Sequence, residues 1–214
     1  MHLASPDGVH FCLLGERSIF LDVARDRYFG ASPETTRALI RAIDGTSILG
    51  SDEAKLQPLL NEGLLCVTLD PARPLAETLA VTAVRDLIGE GAAPLGLTCL
   101  AIVLQLRAQH ELRRRGLGTV IGRLMHIQPG TRFRAIEQVA AAHRASDLII
   151  SPHQRCLMKA VGLFDLLVRS GHRPDFIMGV RDYPFTAHAW IQLGDMVIGD
   201  RRERVARYRP ILAI

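Results

Sequence analysis

The order of hydrophobic patterns along the 214 residues predicts an α+β protein built in two parts. Three observations carry this. β-rich runs followed by two helical patterns fill about the first 70 residues. Two breaker clusters, Asp70-Pro-Ala-Arg-Pro74 and Gly89 through Gly96, then interrupt the chain. Beyond them several helical segments precede a closing β-hairpin. With 48% hydrophobic residues the chain can furnish a core for each part. The expected division is a compact winged-helix-like domain at 1–70, a linker at 71–96 and a second domain at 97–214.

In the first part, Val9 to Leu14 and Ser18 to Val23 are β-rich runs around Gly15-Glu16, and Tyr28-Phe29 follows Arg25-Asp26-Arg27, which predicts a three-stranded meander. Ser32-Pro33-Glu34 supplies an N-cap, a proline at the first helical position and an acidic first turn, so a helix carrying Leu39, Ile40 and Ile43 runs to Asp44-Gly45. A second helix is predicted from Ser51-Asp52-Glu53 to Asn61-Glu62-Gly63, with Leu56, Leu59 and Leu60 on it. Pro58 challenges its continuity. Leu64 to Leu69 reads as a short wing-like strand.

In the second part, Leu97 to Arg115, Leu117 to Ile127 and Thr131 to Ala145 read as helices closed by Gly116 and by Pro129-Gly130. Ser151-Pro152-x-Gln154 combines an N-cap, a proline at N1 and a capping-box glutamine, and Gly171 marks the end, so Cys156 falls near the start of a helix. Ala187 to Leu193 and Met196 to Asp200 alternate around Gly194-Asp195 as a hairpin. There is no internal repeat.

Net charge is +4 and the basic residues bunch at Arg113-Arg114-Arg115 and between Arg201 and Arg209. The first cluster complements a helix C-terminus, and Tyr208 is the only aromatic interleaved in either, so a solvated or peptide-docking surface is expected rather than nucleic acid. Cys12, Cys66, Cys99 and Cys156 form no C-x-x-C pair, which disfavours a zinc site or a disulfide framework. No metal or cofactor is expected. The apolar run from Leu97 to Leu106 is about half of the ~20 residues a bilayer span requires. The start lacks the pattern of a signal peptide, so a cytoplasmic location is expected.

Cys156, His188 and Asp200 are the candidate catalytic residues: a thiol, a base to ionise it, and a carboxylate to fix the imidazole's tautomer. Register decides whether they meet. A two-residue Gly194-Asp195 loop pairs Leu193 with Met196 and sets His188 and Asp200 on opposite faces. A three-residue loop pairs His188 with Asp200 and puts Trp190 and Ile198 on their face. The odd-numbered loop, or an equivalent bulge, is therefore the expectation. Trp190 is read as a shield for the site or as a core anchor. His110, His143, His153 and His172 are read as surface or structural residues.

A helix-start cysteine followed by a hairpin bearing the other two residues recurs among papain-like and transglutaminase-like enzymes. Arg155-Cys-Leu-x-x-Ala160, the run His-Ala-Trp-Ile-Gln-x-Gly from His188 to Gly194, and Asp200 resemble the transglutaminase-like leader peptidases of lasso-peptide biosynthesis, the B proteins. Leu21-Asp-Val, Tyr28-Phe-Gly, Ala42-Ile-Asp-Gly45 and Glu62-Gly-Leu-Leu65 resemble the PqqD-like leader-recognition element, a winged helix-turn-helix. The resemblance implies a cysteine endopeptidase that binds the leader of a ribosomally made precursor and cuts between leader and core. The core would pass to an asparagine-synthetase-like, ATP-dependent cyclase. It implies Cys156 as nucleophile, His188 as general base then acid, and Asp200 as the orienting carboxylate, with the Cys156 backbone N–H as one oxyanion donor. Gln154 is assigned to the capping box rather than to the glutamine of papain-type enzymes. Tyr28, Phe29, Leu56, Leu59 and Leu60 are the candidate leader-binding residues, by strand addition to an exposed edge. A catalytically silent leader-binding chaperone, an acyltransferase acting on an amine, and a winged-helix DNA binder are the alternatives.

Overall fold

The computed structural model describes residues 2–43, 51–68, 82–131, 133–149 and 156–214. The chain divides into two compact units, Met1–Leu79 and Ala80–Ile214.

In the first unit, β1 (His2–Ala4) is followed by β2 (Val9–Leu14), β3 (Arg17–Asp22) and β4 (Arg27–Gly30). The last three form the anticipated antiparallel meander in the order β2-β3-β4. Asp22 accepts the Arg25 N–H at 2.9 Å and Asp26 takes a left-handed conformation, φ +51°, which together reverse the chain between β3 and β4. Helix α1 (Pro33–Ile43) begins as its sequence dictates, because Ser32 Oγ accepts the Thr35 N–H at 3.1 Å. It is tied to the sheet by a buried polar contact, the Ser18 N–H donating to Thr36 Oγ1 at 2.9 Å.

Helix α2 (Ser51–Asn61) runs through Pro58 without ending. Pro58 and Ala54, whose carbonyl loses its donor, both face solvent, so water replaces the lost hydrogen bond. Gly63, at φ +71°, closes the helix, with its N–H on Leu60 O at 3.0 Å and that of Leu64 on Leu59 O at 2.9 Å. The expected wing at 64–69 is realised as β5 (Cys66–Thr68), paired antiparallel with β1. Leu56 and Leu59 join Phe11, Phe20, Leu39 and Leu64 in one core, with Phe29 and Leu60 packed on its margin. The expected end of α1 at Asp44-Gly45 and the first breaker cluster lie outside the described residues.

The second unit opens with β6 (Arg85–Leu87). These residues were assigned to the linker, yet β6 pairs in parallel with a strand near the C-terminus. Helix α3 (Leu95–His126) is broken at Gly116, φ +76° and ψ 172°, where the sequence places a helix end. Helix α4 (Ile136–Ser146) starts later than the expected Thr131. The intervening segment instead caps α5 (Cys156–Arg169): the Gly130 N–H bonds Val168 O at 2.8 Å and that of Arg134 bonds Ser170 O at 3.1 Å. Carbonyls at the end of α5 thus win those donors from a first helical turn. Gly171, φ +85°, ends α5 as expected.

The sheet comprises β7 (Asp175–Arg181), β8 (Thr186–Leu193), β9 (Met196–Ile198) and β10 (Arg209–Ala213), with the short helix α6 (Arg202–Val205) between the last two. Its order is β10-β7-β8-β9-β6. Helix α5 packs on α3 and on β8. A Cβ on Gly162 would lie 2.6 Å from Gln105 Cγ, so the α3–α5 approach requires glycine there. Helix α5 is apolar nearly all round and buried from Ala160 to Val168, which makes it a rigid mount for the residue at its start.

Candidate active site

Cys156 is the first residue of α5, and the amide of Leu157, in that helix's first turn, helps to lower its thiol. The capping box proposed at Ser151, Pro152 and Gln154, and with it His153, lies outside the described residues.

The hairpin corrects the expected register. Leu193 pairs with Met196, Gln192 with Val197 and Ile191 with Ile198, so Gly194-Asp195 is a two-residue loop. Gly194, at φ +61°, is the only one of the two with positive φ, as a Gly-X hairpin loop favours. Ile198 therefore opposes Ile191 and does not share a face with Trp190, contrary to expectation. Strict alternation would also have put His188 and Asp200 on opposite faces. Alternation, however, ends one residue before Asp200. Strand β9 stops at Ile198, Gly199 turns the chain at φ +73°, and Asp200 swings back to His188. The His188 Nε2–H donates to Asp200 Oδ2 at 2.6 Å, while Oδ1 accepts the Arg201 N–H at 2.7 Å.

The end of β9 also frees a donor. In a two-residue hairpin the closing pair exchanges both hydrogen bonds, so Leu193, Ile191 and Ala189 direct their amides toward β9. Opposite Ala189 there is no strand left, and its amide helps to lower the Cys156 thiol. His188 is buried at 4% exposure, and since Asp200 occupies Nε2 its Nδ1 is the ring nitrogen left for the Cys156 thiol, with which it interacts electrostatically.

These contacts set the charges. Burial pushes the Cys156 thiol up, but the hydrogen bond and charge of His188 together with the amides of Ala189 and Leu157 outweigh it and hold the thiol below its ordinary value. Burial alone would lower His188; Asp200 and Cys156 outweigh it and raise the imidazole. Asp200 is lowered, since His188, the Arg201 amide and Arg204 overcome the cost of burial. The three residues form one coupled unit whose shifts run toward thiolate and imidazolium.

The His188 ring sits between two aromatics, Trp190 at 6.1 Å and Tyr208 at 5.1 Å between centroids. Trp190 also joins a small core with Ile177, Val197 and Val205, so it is a core anchor that also lines the cavity. Tyr208 was noted in the sequence only as an aromatic among arginines, and nothing local signals its place beside His188. Cys156, His188 and Asp200 line a cavity of about 170 Å³, shared with His143, Asp147 and Lys159. Lys159 and Asp147 form an ion pair there. His143, read from the sequence as surface or structural, is thus in the site's wall. His172 is structural, with Nε2 on Arg134 O at 2.9 Å, and His110 is exposed.

Of the candidate leader-binding residues, Leu56 and Leu59 are 1% and 6% exposed and belong to the first unit's own core, so their side chains offer a peptide no surface. Tyr28, Phe29 and Leu60 are half-buried, with Tyr28 and Phe29 on β4, an outer strand of its sheet.

Among the described residues no group of three or more His, Cys, Asp or Glu could hold a metal, and no helix is long and apolar enough to cross a membrane. No curated protein and no solved structure matches the chain. A family model described as the transglutaminase-like superfamily matches residues 96–213, more than half of the sequence and the whole of the cavity just described. Members of that superfamily are usually cysteine peptidases or transferases. With an α+β fold and a thiol, imidazole and carboxylate lining one cavity within the matched region, this chain belongs to the transglutaminase-like superfamily.

Proposed function

We propose that the protein is a cysteine endopeptidase, the leader peptidase of lasso-peptide biosynthesis, with Cys156 as nucleophile, His188 as general base then acid, and Asp200 as the carboxylate that orients His188. The observation that carries this reading is that Cys156, His188 and Asp200 line one cavity, with Asp200 holding His188 Nε2 at 2.6 Å and His188 lowering the Cys156 thiol.

The Cys156 thiolate adds to the scissile carbonyl, and the imidazolium of His188 then protonates the leaving amine, which departs with its half of the peptide. Water, deprotonated by His188, attacks the thioester and returns the thiol. Asp200 keeps the proton on Nε2 so that Nδ1 faces the sulfur throughout.

The first unit is the PqqD-like leader-recognition domain in this reading. A leader peptide adds along the outer edge of β4, with main-chain hydrogen bonds for affinity and contacts to Tyr28, Phe29 and Leu60 for selectivity. The resemblances quoted above and the β-meander beside α1 and α2 support this. The freed core passes to an asparagine-synthetase-like cyclase. Incubating the full chain with the precursor encoded by a neighbouring short reading frame, and weighing the products, tests the proposal. Wild type should release leader and core; Cys156→Ala should bind the leader equally and release neither. Equal cleavage by both proteins rejects Cys156 as nucleophile, and amide exchange in place of hydrolysis assigns the chain to the acyltransferases.

A further inference from the structure

His143 lies on α4, outside the sequence stretch that carries the thiol, imidazole and carboxylate, yet it lines their cavity. It is 4% exposed. A histidine so placed either carries a charge, donates one defined hydrogen bond, or accepts one, and its neighbours decide which.

The Gln105 side-chain amide, fully buried on α3, reaches Ser146 Oγ at 2.6 Å and His143 Nδ1 at 3.3 Å. The Ser146 hydroxyl is committed to the His143 carbonyl at 2.5 Å. Gln105 therefore donates both N–H groups, one to Ser146 and one to Nδ1. Its Oε1 is left without a partner, and the reverse orientation would instead strand two buried donors, the costlier arrangement. Since Nδ1 accepts, the proton of the neutral ring is on Nε2. Burial and the charge of Lys159 push the imidazole down to about 3, so the ring stays neutral across the working range.

Among the described residues the Nε2–H has no hydrogen-bond partner, and its ring edge lies against Gly199, the residue that turns Asp200 toward His188. Of the other side-chain donors on the cavity wall, Lys159 pairs with Asp147 and Trp190 donates to Gln192 Oε1 at 2.8 Å, while Arg204 is exposed and approaches Asp200 at 3.8 Å. We propose that His143 is a substrate-binding residue whose Nε2–H donates a hydrogen bond to the carbonyl oxygen of the acyl group attacked by Cys156, and strengthens that bond as the oxygen becomes an oxyanion. A neutral donor suits this role, because it stabilises developing negative charge without giving up its proton. The inference rests on the acyl-transfer reading of Cys156 above.

Two small probes separate its failure from that of the reading. p-Nitrophenyl acetate acylates Cys156: the S–C bond forms, the C–O bond to the phenolate breaks, and the carbonyl oxygen passes through an oxyanion. Iodoacetamide alkylates the same sulfur with loss of iodide and forms no oxyanion. His143→Phe should slow acylation about 100-fold, as loss of one oxyanion donor does elsewhere, while alkylation of the Cys156 peptide keeps its rate and pH dependence. Equal loss in both reactions, or in neither, overturns the proposal. A wild type that is alkylated at Cys156 but never acylated removes the acyl-transfer reading itself, and this inference with it. Independently of any variant, ¹⁵N spectra of the histidine-labelled wild type should show a neutral His143 ring with its proton on Nε2 between pH 5 and 8. A proton on Nδ1 overturns the proposal.

Discussion

Gly199→Ala tests the turn that delivers Asp200. At φ +73° the residue is left-handed, a conformation costing an L-amino acid about 1–2 kcal/mol. The new Cβ would also lie 3.1 Å from both His143 Cδ2 and Leu163 Cδ2. Both neighbours are buried side chains in packed surroundings, so yielding a few tenths of an ångström adds about 1 kcal/mol. A total of roughly 2–3 kcal/mol against this turn corresponds to about a 30- to 150-fold smaller population with Asp200 on His188. Turnover of p-nitrophenyl acetate should fall by up to that factor, with the protein still folded by circular dichroism. The control is Asp200→Ala. If Gly199 acts mainly by placing Asp200, the double variant should lose much less than the product of the two single effects. Activity of Gly199→Ala within twofold of wild type, or a double variant that loses the full product of the two effects, would refute the reasoning.

Four further outcomes are expected. Alkylation of the Cys156 peptide, read by mass spectrometry so that Cys66 and Cys99 do not interfere, should titrate below the ordinary thiol value, and His188→Ala should move that midpoint upward. Hydrolysis should be bell-shaped, because the active thiolate–imidazolium pair is lost to protonation below the lowered thiol value and to deprotonation above the raised His188 value. An alkaline limb no higher than the ordinary imidazole value of about 6.5 would contradict the Asp200 contact. Leu56→Ala, at 1% exposure in the first unit's core, should lower unfolding free energy by about 2–4 kcal/mol in urea titrations, with no change in Cys156 alkylation. Gly162→Ala should destabilise by about 1–3 kcal/mol, since its Cβ would meet Gln105 at 2.6 Å and backbone Cα at 3.0 Å; an unchanged melting temperature would show that α3 and α5 can part without cost.

Local chemistry was the legible part of this protein. Ser32 before Pro33, Gly63, Gly116 and Gly171 mark helix starts, breaks and ends through interactions that span only a few residues, and each of these elements is found where its signal stands. Signals of that range failed where a distant group competed. The segment after Pro129 reads as helix, but carbonyls at the end of α5 take its amide donors. Strands β1, β6 and β10 were missed, because each depends on partners far along the chain, and β7 was missed although β8 follows it directly. Pro58 was a doubt that the solvent-facing side of α2 resolved.

By itself the sequence determined the α+β character, the helix boundaries set by caps and glycines, and the residue types able to activate a thiol. The hairpin loop could not be decided from Gly194-Asp195, since two-residue and three-residue loops are both compatible with the pattern. Only the tertiary structure decided it, and it chose the register that sequence logic had set against the triad. The contact forms because β9 is cut short at Ile198, by a left-handed Gly199 packed against α4 and α5 and bonded to Leu87. Those partners lie 36 to 112 residues away, out of reach of any local rule. Tertiary packing likewise hid His143 and Tyr208. Their place beside Cys156 and His188 is a property of how α4 and the C-terminal segment pack on the sheet and on α5, where burial and long-range hydrogen bonds outweigh anything written in the neighbouring residues.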